Sequence, residues 1–153
     1  MDQYKSSYPS TPEVPSSLHQ FFKTFYKISD TPEAHEKYVD CFTKDAVLVM
    51  ASTKVEGSDA GILSLRQNMW SAVSSRSHHP TKIFPFAPVS ESEAEVMLYG
   101  TVEYGFKEGG SDGKDWAARA LLVNSGSEGG VGGLGGWRMK FYQVYLDTAA
   151  KKA

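Results

Sequence analysis

The hydrophobic rhythm of the chain changes once, near its middle: apolar positions recur three and four apart before His78 and alternate after it. Leu18, Phe21, Phe22, Phe25 and Ile28 give one heavily aromatic helix face, and Ser17 with Gln20 has the spacing of a capping box at its start. A second helix start follows at Asp30-Thr31-Pro32-Glu33, with Asp30 or Thr31 as cap, Pro32 in the first turn, and Ala34, Tyr38, Cys41 and Phe42 along one face. Asp45 closes the next turn, and Ala46 to Ala51 is an almost unbroken apolar run of strand length, bounded by the polar Ser52-Thr53-Lys54 turn. Gly57-Ser58-Asp59 opens a third helix, in which Ile62, Leu65, Met69 and Val73 keep the helical period while Leu63 and Trp70 widen the stripe.

After His78 the alternation predicts four strands, over about 79–87, 93–106, 115–125 and 136–147, separated by Pro, Gly, Ser and Asp turns. The segment from Ser125 to Gly136 is too Gly-rich to be ordered by its own contacts and reads as a mobile hairpin loop. Its glycines do not suit a phosphate cradle, because a strand rather than a helix follows them. The whole pattern predicts an α+β fold in which three N-terminal helices cover one face of a curved, mixed and mostly antiparallel sheet, forming a cone around a pocket. Residues 1–15, rich in Ser, Pro and Thr, are expected to be a flexible arm before a single domain over 16–147, with 148–153 as a flexible tail.

Composition narrows the function classes. A chain of 153 residues, 41% hydrophobic and 12% aromatic, can bury a core without disulfide or metal staples. Its formal net charge of −2 and the lack of a Lys/Arg cluster argue against nucleic acid or a membrane surface as partner. The single cysteine, Cys41, excludes an internal disulfide and a cysteine-built metal site. The N-terminal segment has no apolar stretch of a signal peptide, so the expected location is cytoplasmic.

The element order, together with Tyr38 to Phe42 as YxxxF, Asp45-Ala46, Glu56-Gly57 and the closing WRMKFYQVYLD, resembles the nuclear transport factor 2-like superfamily, in particular its SnoaL-like branch. The resemblance spans about residues 16–147. It implies a cavity between sheet and helices and an activity among those of polyketide cyclases, ketosteroid isomerases, scytalone dehydratases and epoxide hydrolases, or a binding module without catalysis. The general-base Asp that the resemblance implies at the end of the first strand is replaced by Met50, which cannot exchange a proton. The implied oxyanion Tyr falls near Phe22, and the second acid near Arg119. Of two implied dehydratase histidines, the first has a counterpart in His78 or His79 and the second falls near Trp116 or Ala117.

Candidate chemistry therefore rests on His78, His79 and Arg119. Histidine alone titrates near neutrality, and adjacent strand residues point to opposite faces, so at most one of the pair looks into the cavity. Simple alternation groups His78 with Phe84 and Phe86, and His79 with Thr81 and Ile83. Arg119, amid the small and apolar residues of WAARALLV, needs an anion: a substrate carboxylate, enolate or phenolate, or Glu95 or Glu103 on the neighbouring strand. Tyr26, Tyr38, Met50, Trp70, Tyr104, Phe141 and Gln143 are expected to line a substrate pocket, Phe141 and Gln143 because Trp137, Met139, Phe141, Gln143 and Tyr145 share the face read as cavity or dimer surface. Asp40 on the second helix reads as a solvated carboxylate, and His19 and His35 show no spacing of a metal set. The function these residues suggest is binding of a small, mostly apolar, ring-containing molecule by a homodimer. A cofactor-free isomerase, cyclase or dehydratase and a noncatalytic binding or dimerisation module both remain open, and convergence of a histidine with a second polar group in the cavity separates them.

Overall fold

In a computed structural model the protein is described over residues 2–125 and 136–149. The helices are α1 (Ser16–Ser29), α2 (His35–Val39) and α3 (Leu63–Met69), the last entered through a π-helical turn at Gly57–Ile62. The strands are β1 (Phe42–Met50), β2 (Thr53–Glu56), β3 (Val73–Pro85), β4 (Glu93–Phe106), β5 (Ser111–Asn124) and β6 (Trp137–Tyr145). They form one sheet in the order β2-β1-β6-β5-β4-β3, antiparallel throughout except for the parallel β1/β6 pair. This is the expected α+β cone: the helices lie over one face of the sheet. The Gly-rich loop reading falls mostly outside the described residues, as does the end of the tail.

The core forms where the aromatic face of α1 meets the inner face of the sheet. Leu18, Phe21, Phe22 and Phe25 are fully buried against Leu48, Val96, Leu98, Ala118, Ala120, Leu122 and Met139. Burial of each such large side chain contributes roughly 1.5–3 kcal/mol. Ala118 and Ala120 are small on the same face where Tyr142 and Val144 of β6 stand directly opposite, so the volume they release is taken by the Tyr142 ring.

Two β-bulges decide which residues face inward. In β3, Pro80 pairs with Gly100 but Lys82 with Tyr99, which leaves Thr81 as an extra residue. Below the bulge Arg76, His78 and Pro80 face inward; above it the alternation has flipped, so Ile83 is buried and Phe84 is 45% exposed. In β6, Met139 pairs with Leu122 and Phe141 with Leu121, so Lys140 is the extra residue. Trp137 and Met139 therefore point inward, followed by Tyr142 and Val144, while Phe141 and Gln143 take the outer face. Strict alternation assigns Phe141 and Gln143 to the cavity and groups His78 with Phe84; both assignments are corrected by these one-residue shifts.

The N-terminal arm is not free. Ser7 pairs in parallel with β3, donating its N–H to Thr81 O at 2.9 Å and accepting from Ile83 N–H at 3.1 Å, while Ser6 Oγ donates to Pro80 O at 2.9 Å. The reason is local: β3 is an edge strand, and its bulge presents carbonyl and amide groups that the arm satisfies. The helix starts also differ from the capping expectations. Ser17 does not cap α1 but accepts from Trp137 Nε1 at 3.0 Å, and α2 begins only at His35 without a side-chain cap.

Candidate active site

The turn between α1 and α2 carries Asp30, which serves β3 instead of capping a helix. Its Oδ1 lies 2.5 Å from His78 Nδ1, and its Oδ2 accepts the His78 backbone N–H at 2.7 Å and the Tyr4 hydroxyl at 2.9 Å. A ring nitrogen this close to a carboxylate carries the proton, so the arrangement selects the Nδ1–H tautomer and leaves Nε2 with its lone pair. Burial pushes the His78 imidazole below its ordinary range, opposed by the hydrogen bond and charge of Asp30 and assisted by the nearby Arg76 cation. His78 is thus a neutral imidazole at pH 7. Tyr26 and Trp116 flank it, with ring centroids 5.2 Å and 5.8 Å away.

Trp116 reaches this position because Gly100 stands between it and Pro80 in the sheet. A Cβ on Gly100 would come within 2.2 Å of the His79 carbonyl oxygen, so no other residue fits the register that holds His78 in place.

The Asp30 turn is fixed from beneath by Arg66 of α3, a fully buried cation. Its guanidinium donates to Ser29 O at 2.7 Å, Thr31 O at 2.5 Å and His35 Nδ1 at 3.2 Å, and lies over the rings of Tyr38 and Trp70. It satisfies the carbonyls on either side of Asp30 that the end of α1 leaves open. Burial lowers its pKa to about 10, which still leaves it charged at neutral pH.

These elements enclose a small cavity of about 50 Å³ lined by Phe25, Ser29, Tyr38, Met50, Met69, Arg76, His78, Val102, Tyr104, Trp116, Tyr142, Val144 and Leu146. The buried aromatic and valine side chains make its floor, and the half-buried Met50, Met69, Arg76, Tyr104 and Leu146 its rim. The volume is about one third of the roughly 150 Å³ in which an apolar cavity takes up benzene. A ring-sized ligand therefore enters only as the flexible Met50 and Met69 side chains rearrange.

Among the sequence candidates, His78, Tyr38, Met50 and Tyr104 meet at this cavity. His79, the next strand residue, faces away and does not line it. Arg119 stands on the outer face, where its Nε donates to Glu95 Oε2 at 3.1 Å and its guanidinium lies over Phe141. The structural ion pair is thus realised and the catalytic reading of Arg119 is withdrawn, along with Phe141 and Gln143 as pocket residues. Tyr26 is a core residue behind His78, its hydroxyl 2.7 Å from that of Tyr142, and Trp70 lies beneath Arg66 and Arg76 rather than at the cavity. Asp40 is an exposed partner of Arg138. Asp30, Arg66 and Arg76 escape the sequence reading: Asp30 stood in a cap pattern, and no signal marks Arg66. Arg76 precedes His78 by two residues on one strand face, a spacing that could have singled it out. Among the described residues, no three His, Cys, Asp or Glu are placed to hold a metal ion. No described helix is long and apolar enough to cross a membrane.

No protein-family model and no curated protein matches the sequence. Solved structures do match. A proposed aromatic ring hydroxylase from Novosphingobium aromaticivorans superimposes with a TM-score of 0.76 at 18% identity, covering 92% of this chain and 96% of that one. A proposed scytalone dehydratase from the same organism gives 0.73 at 17% identity over 87% and 83% of the two chains. A type 2 hexachlorocyclohexane dehydrochlorinase gives 0.72 at 13% identity over 90% and 88%. What is common at such low identity is the architecture, and it is also that of nuclear transport factor 2 from Cryptosporidium parvum: the protein has the nuclear transport factor 2-like fold.

Proposed function

We propose that the protein is a small-molecule lyase or isomerase that works without a cofactor, with His78 as general base and Asp30 as the group that orients it. The observation that carries this reading is the Asp30–His78 hydrogen bond on the wall of an apolar cavity. His78 Nε2 takes a proton from an acidic C–H of the bound molecule, and Asp30 stabilises the imidazolium that forms. Return of that proton to another carbon gives an isomer; its delivery to a departing hydroxyl gives water and a new double bond. The superposed dehydratase and dehydrochlorinase carry names that denote eliminations, which favours the second outcome.

A binding module that never turns over its ligand needs the cavity but not the carboxylate behind the histidine. The two readings separate with a generic base probe, 5-nitrobenzisoxazole, which opens to a coloured cyanophenolate once its ring proton is removed. The expected result is an acceleration of about 10²-fold or more over free imidazole, lost in His78→Gln. Equal rates with His78→Gln and the unaltered protein would overturn the enzymatic reading. We also propose that the protein pairs with a second copy through the outer sheet face, where Met97, Tyr99 and Tyr145 are each more than 40% exposed. The ligand of the cavity is a small, mostly apolar, ring-containing metabolite.

A further inference from the structure

The Asp30 carboxylate is completed from the N-terminal arm. Its side chain is only 6% exposed, yet three donors reach it: the ring and the main-chain N–H of His78, and the hydroxyl of Tyr4. Burial and the neighbouring carboxylate hold the Tyr4 phenol well above its ordinary pKa, so it is a neutral O–H that donates. Oδ1 serves Nδ1 while Oδ2 takes the other two bonds, which fixes the plane of the carboxylate as well as its place.

The free edge of β3 brings Tyr4 there. Both main-chain groups of His78 point toward that edge, the N–H to Asp30 and the carbonyl to Gln3 Nε2 at 3.1 Å, and the same Gln3 amide donates to Ser77 Oγ at 2.8 Å. Farther along, Ser6 and Ser7 bond Pro80, Thr81 and Ile83 at the bulge. The first helix, α1, holds the arm from the other side, through the Lys23–Asp2 ion pair at 2.5 Å and the stack of Tyr8 on His19 at 3.7 Å. Asp2 Oδ1 in turn accepts the Tyr4 N–H at 3.0 Å. The arm therefore bridges α1 and β3 across the seam where Asp30 meets His78. An edge strand needs partners for its main-chain groups, but that need alone does not call for a phenol aimed at a buried carboxylate.

We infer that Tyr4 is a positioning residue of the site and that the arm is the strap that carries it, so that residues 2–8 complete the Asp30–His78 pair as well as covering a sheet edge. The inference rests on the general-base reading above and adds a residue to it. Without the Tyr4 O–H, Oδ2 is held only by the His78 N–H, and the carboxylate can turn about that bond and take the imidazole with it. The charge that the O–H shared returns to the bond with Nδ1. That bond favours the imidazolium, so strengthening it moves the His78 titration to higher pH. The other titratable groups around the ring are Tyr26 on α1, Arg76 and His79 on β3, and Tyr38, Tyr104 and Tyr142 in the cavity wall, and all of them stay in place when the Tyr4 hydroxyl is removed.

The test is Tyr4→Phe in the full chain, which keeps the ring and removes the hydroxyl. It is read by kcat and KM toward the benzisoxazole probe and by the His78 titration, followed by NMR of the imidazole. The expected result is a kcat lowered about tenfold, the weight of one hydrogen bond to a charged group, with KM within about twofold and His78 titrating at higher pH. A residue that only covers a sheet edge would cost stability when altered and move neither readout. An unchanged His78 titration, or a kcat within about twofold of the unaltered protein, would overturn the inference. If His78→Gln opens the probe as fast as the unaltered protein, the base reading falls and the titration alone decides the role of Tyr4. Amide exchange in the unaltered protein tests the strap itself. The Ser7 N–H given to Thr81 and the Ile83 N–H given to Ser7 are expected to be protected, and exchange of Ser7 at the rate of an unstructured chain would also overturn the inference.

Discussion

Arg76 and Arg119 stand on the two faces of one sheet, both amid apolar neighbours and both over an aromatic ring, yet they differ in what completes them. On the outer face Arg119 reaches across to Glu95, and both side chains remain more than one third exposed. On the inner face Arg76 has no carboxylate within ion-pair distance among the described residues, feels the charge of Asp30 from farther off, and stacks between Trp70 and Tyr104 with Nη1 unpartnered. An exposed pair in water contributes at most about 1 kcal/mol and is local in its consequences. A half-buried cation with a shielded and unpartnered N–H is a cost carried by the fold, and such costs are retained where a ligand repays them. The outer face therefore reads as a surface and the inner face as a site.

The inner face breaks most sharply at Asp30. Asp30→Asn keeps the shape but offers an amide where His78 Nδ1 and the two donors to Oδ2 require oxygens. With its NH2 toward His78, the amide flips the tautomer, and Nε2 loses its lone pair. Turned the other way, it sets an N–H against the Tyr4 hydroxyl and the His78 backbone N–H. Base activity toward the benzisoxazole probe is expected to fall about 10²–10⁴-fold, with the protein still folded by circular dichroism. The same geometry fixes the pH dependence. Burial holds the folded-state pKa of His78 below its ordinary value, so activity, which needs the neutral ring, stays high as the pH falls through 6.5 and declines only below it. Stability follows the same sign: between the two pKa values the unfolded chain binds the extra proton, so the His78 contribution is present above the ordinary histidine pKa and is lost as the pH falls toward the folded value. An acid limb above pH 6.5 in the rate profile would show that another group is the base.

Next in size is Arg66→Met. The methionine fills part of the volume but leaves the Ser29 and Thr31 carbonyls unpaired on either side of Asp30. The expected loss is about 2–4 kcal/mol in urea unfolding, together with weakened base activity because the turn no longer fixes the carboxylate. A variant as stable as the parent would mean that water replaces the guanidinium and that α3 does not brace the site.

How much of this the amino-acid order discloses depends on the range of the interaction. The aromatic face of α1 and most of β4, β5 and β6 follow from periodicity alone, because burial on one face imposes it residue by residue, whereas β3 already begins at Val73, which the helical period assigns to the third helix. Faces are a different matter: Thr81 and Lys140 each add one residue to a strand, and each reverses inward and outward beyond it, which is why Phe141 and Gln143 read as cavity residues and are not. The site is less legible still. Asp30 lies in a sequence that fits a helix cap as well as a turn that holds a histidine of β3, and only the 48-residue closure that brings β3 beside α1 distinguishes them. Arg66 carries no local mark at all, since a polar residue on an amphipathic helix is ordinarily solvated. His78 is legible only as one of the pair His78-His79, since histidine alone titrates near neutrality; which of the two turns inward, and that Tyr26 and Trp116 flank it, depends on the register of β3.

The smallest expected effect is the most discriminating for the two faces. Arg119→Met removes the outer ion pair but keeps a chain that can lie on Phe141, so stability should change by less than about 1 kcal/mol and base activity by less than about twofold. If the outer face pairs two copies, the change acts there instead, since Arg119 lies in register with Gln143 and Met97, among the exposed Tyr99 and Tyr145. Burying an ion pair at an interface raises its weight over that of a solvated one, so the substitution would shift the monomer–dimer equilibrium in sedimentation while leaving the His78 titration untouched. A loss of base activity comparable to that of Asp30→Asn, with the association state unchanged, would place Arg119 in communication with the cavity and dissolve the distinction between the two arginines.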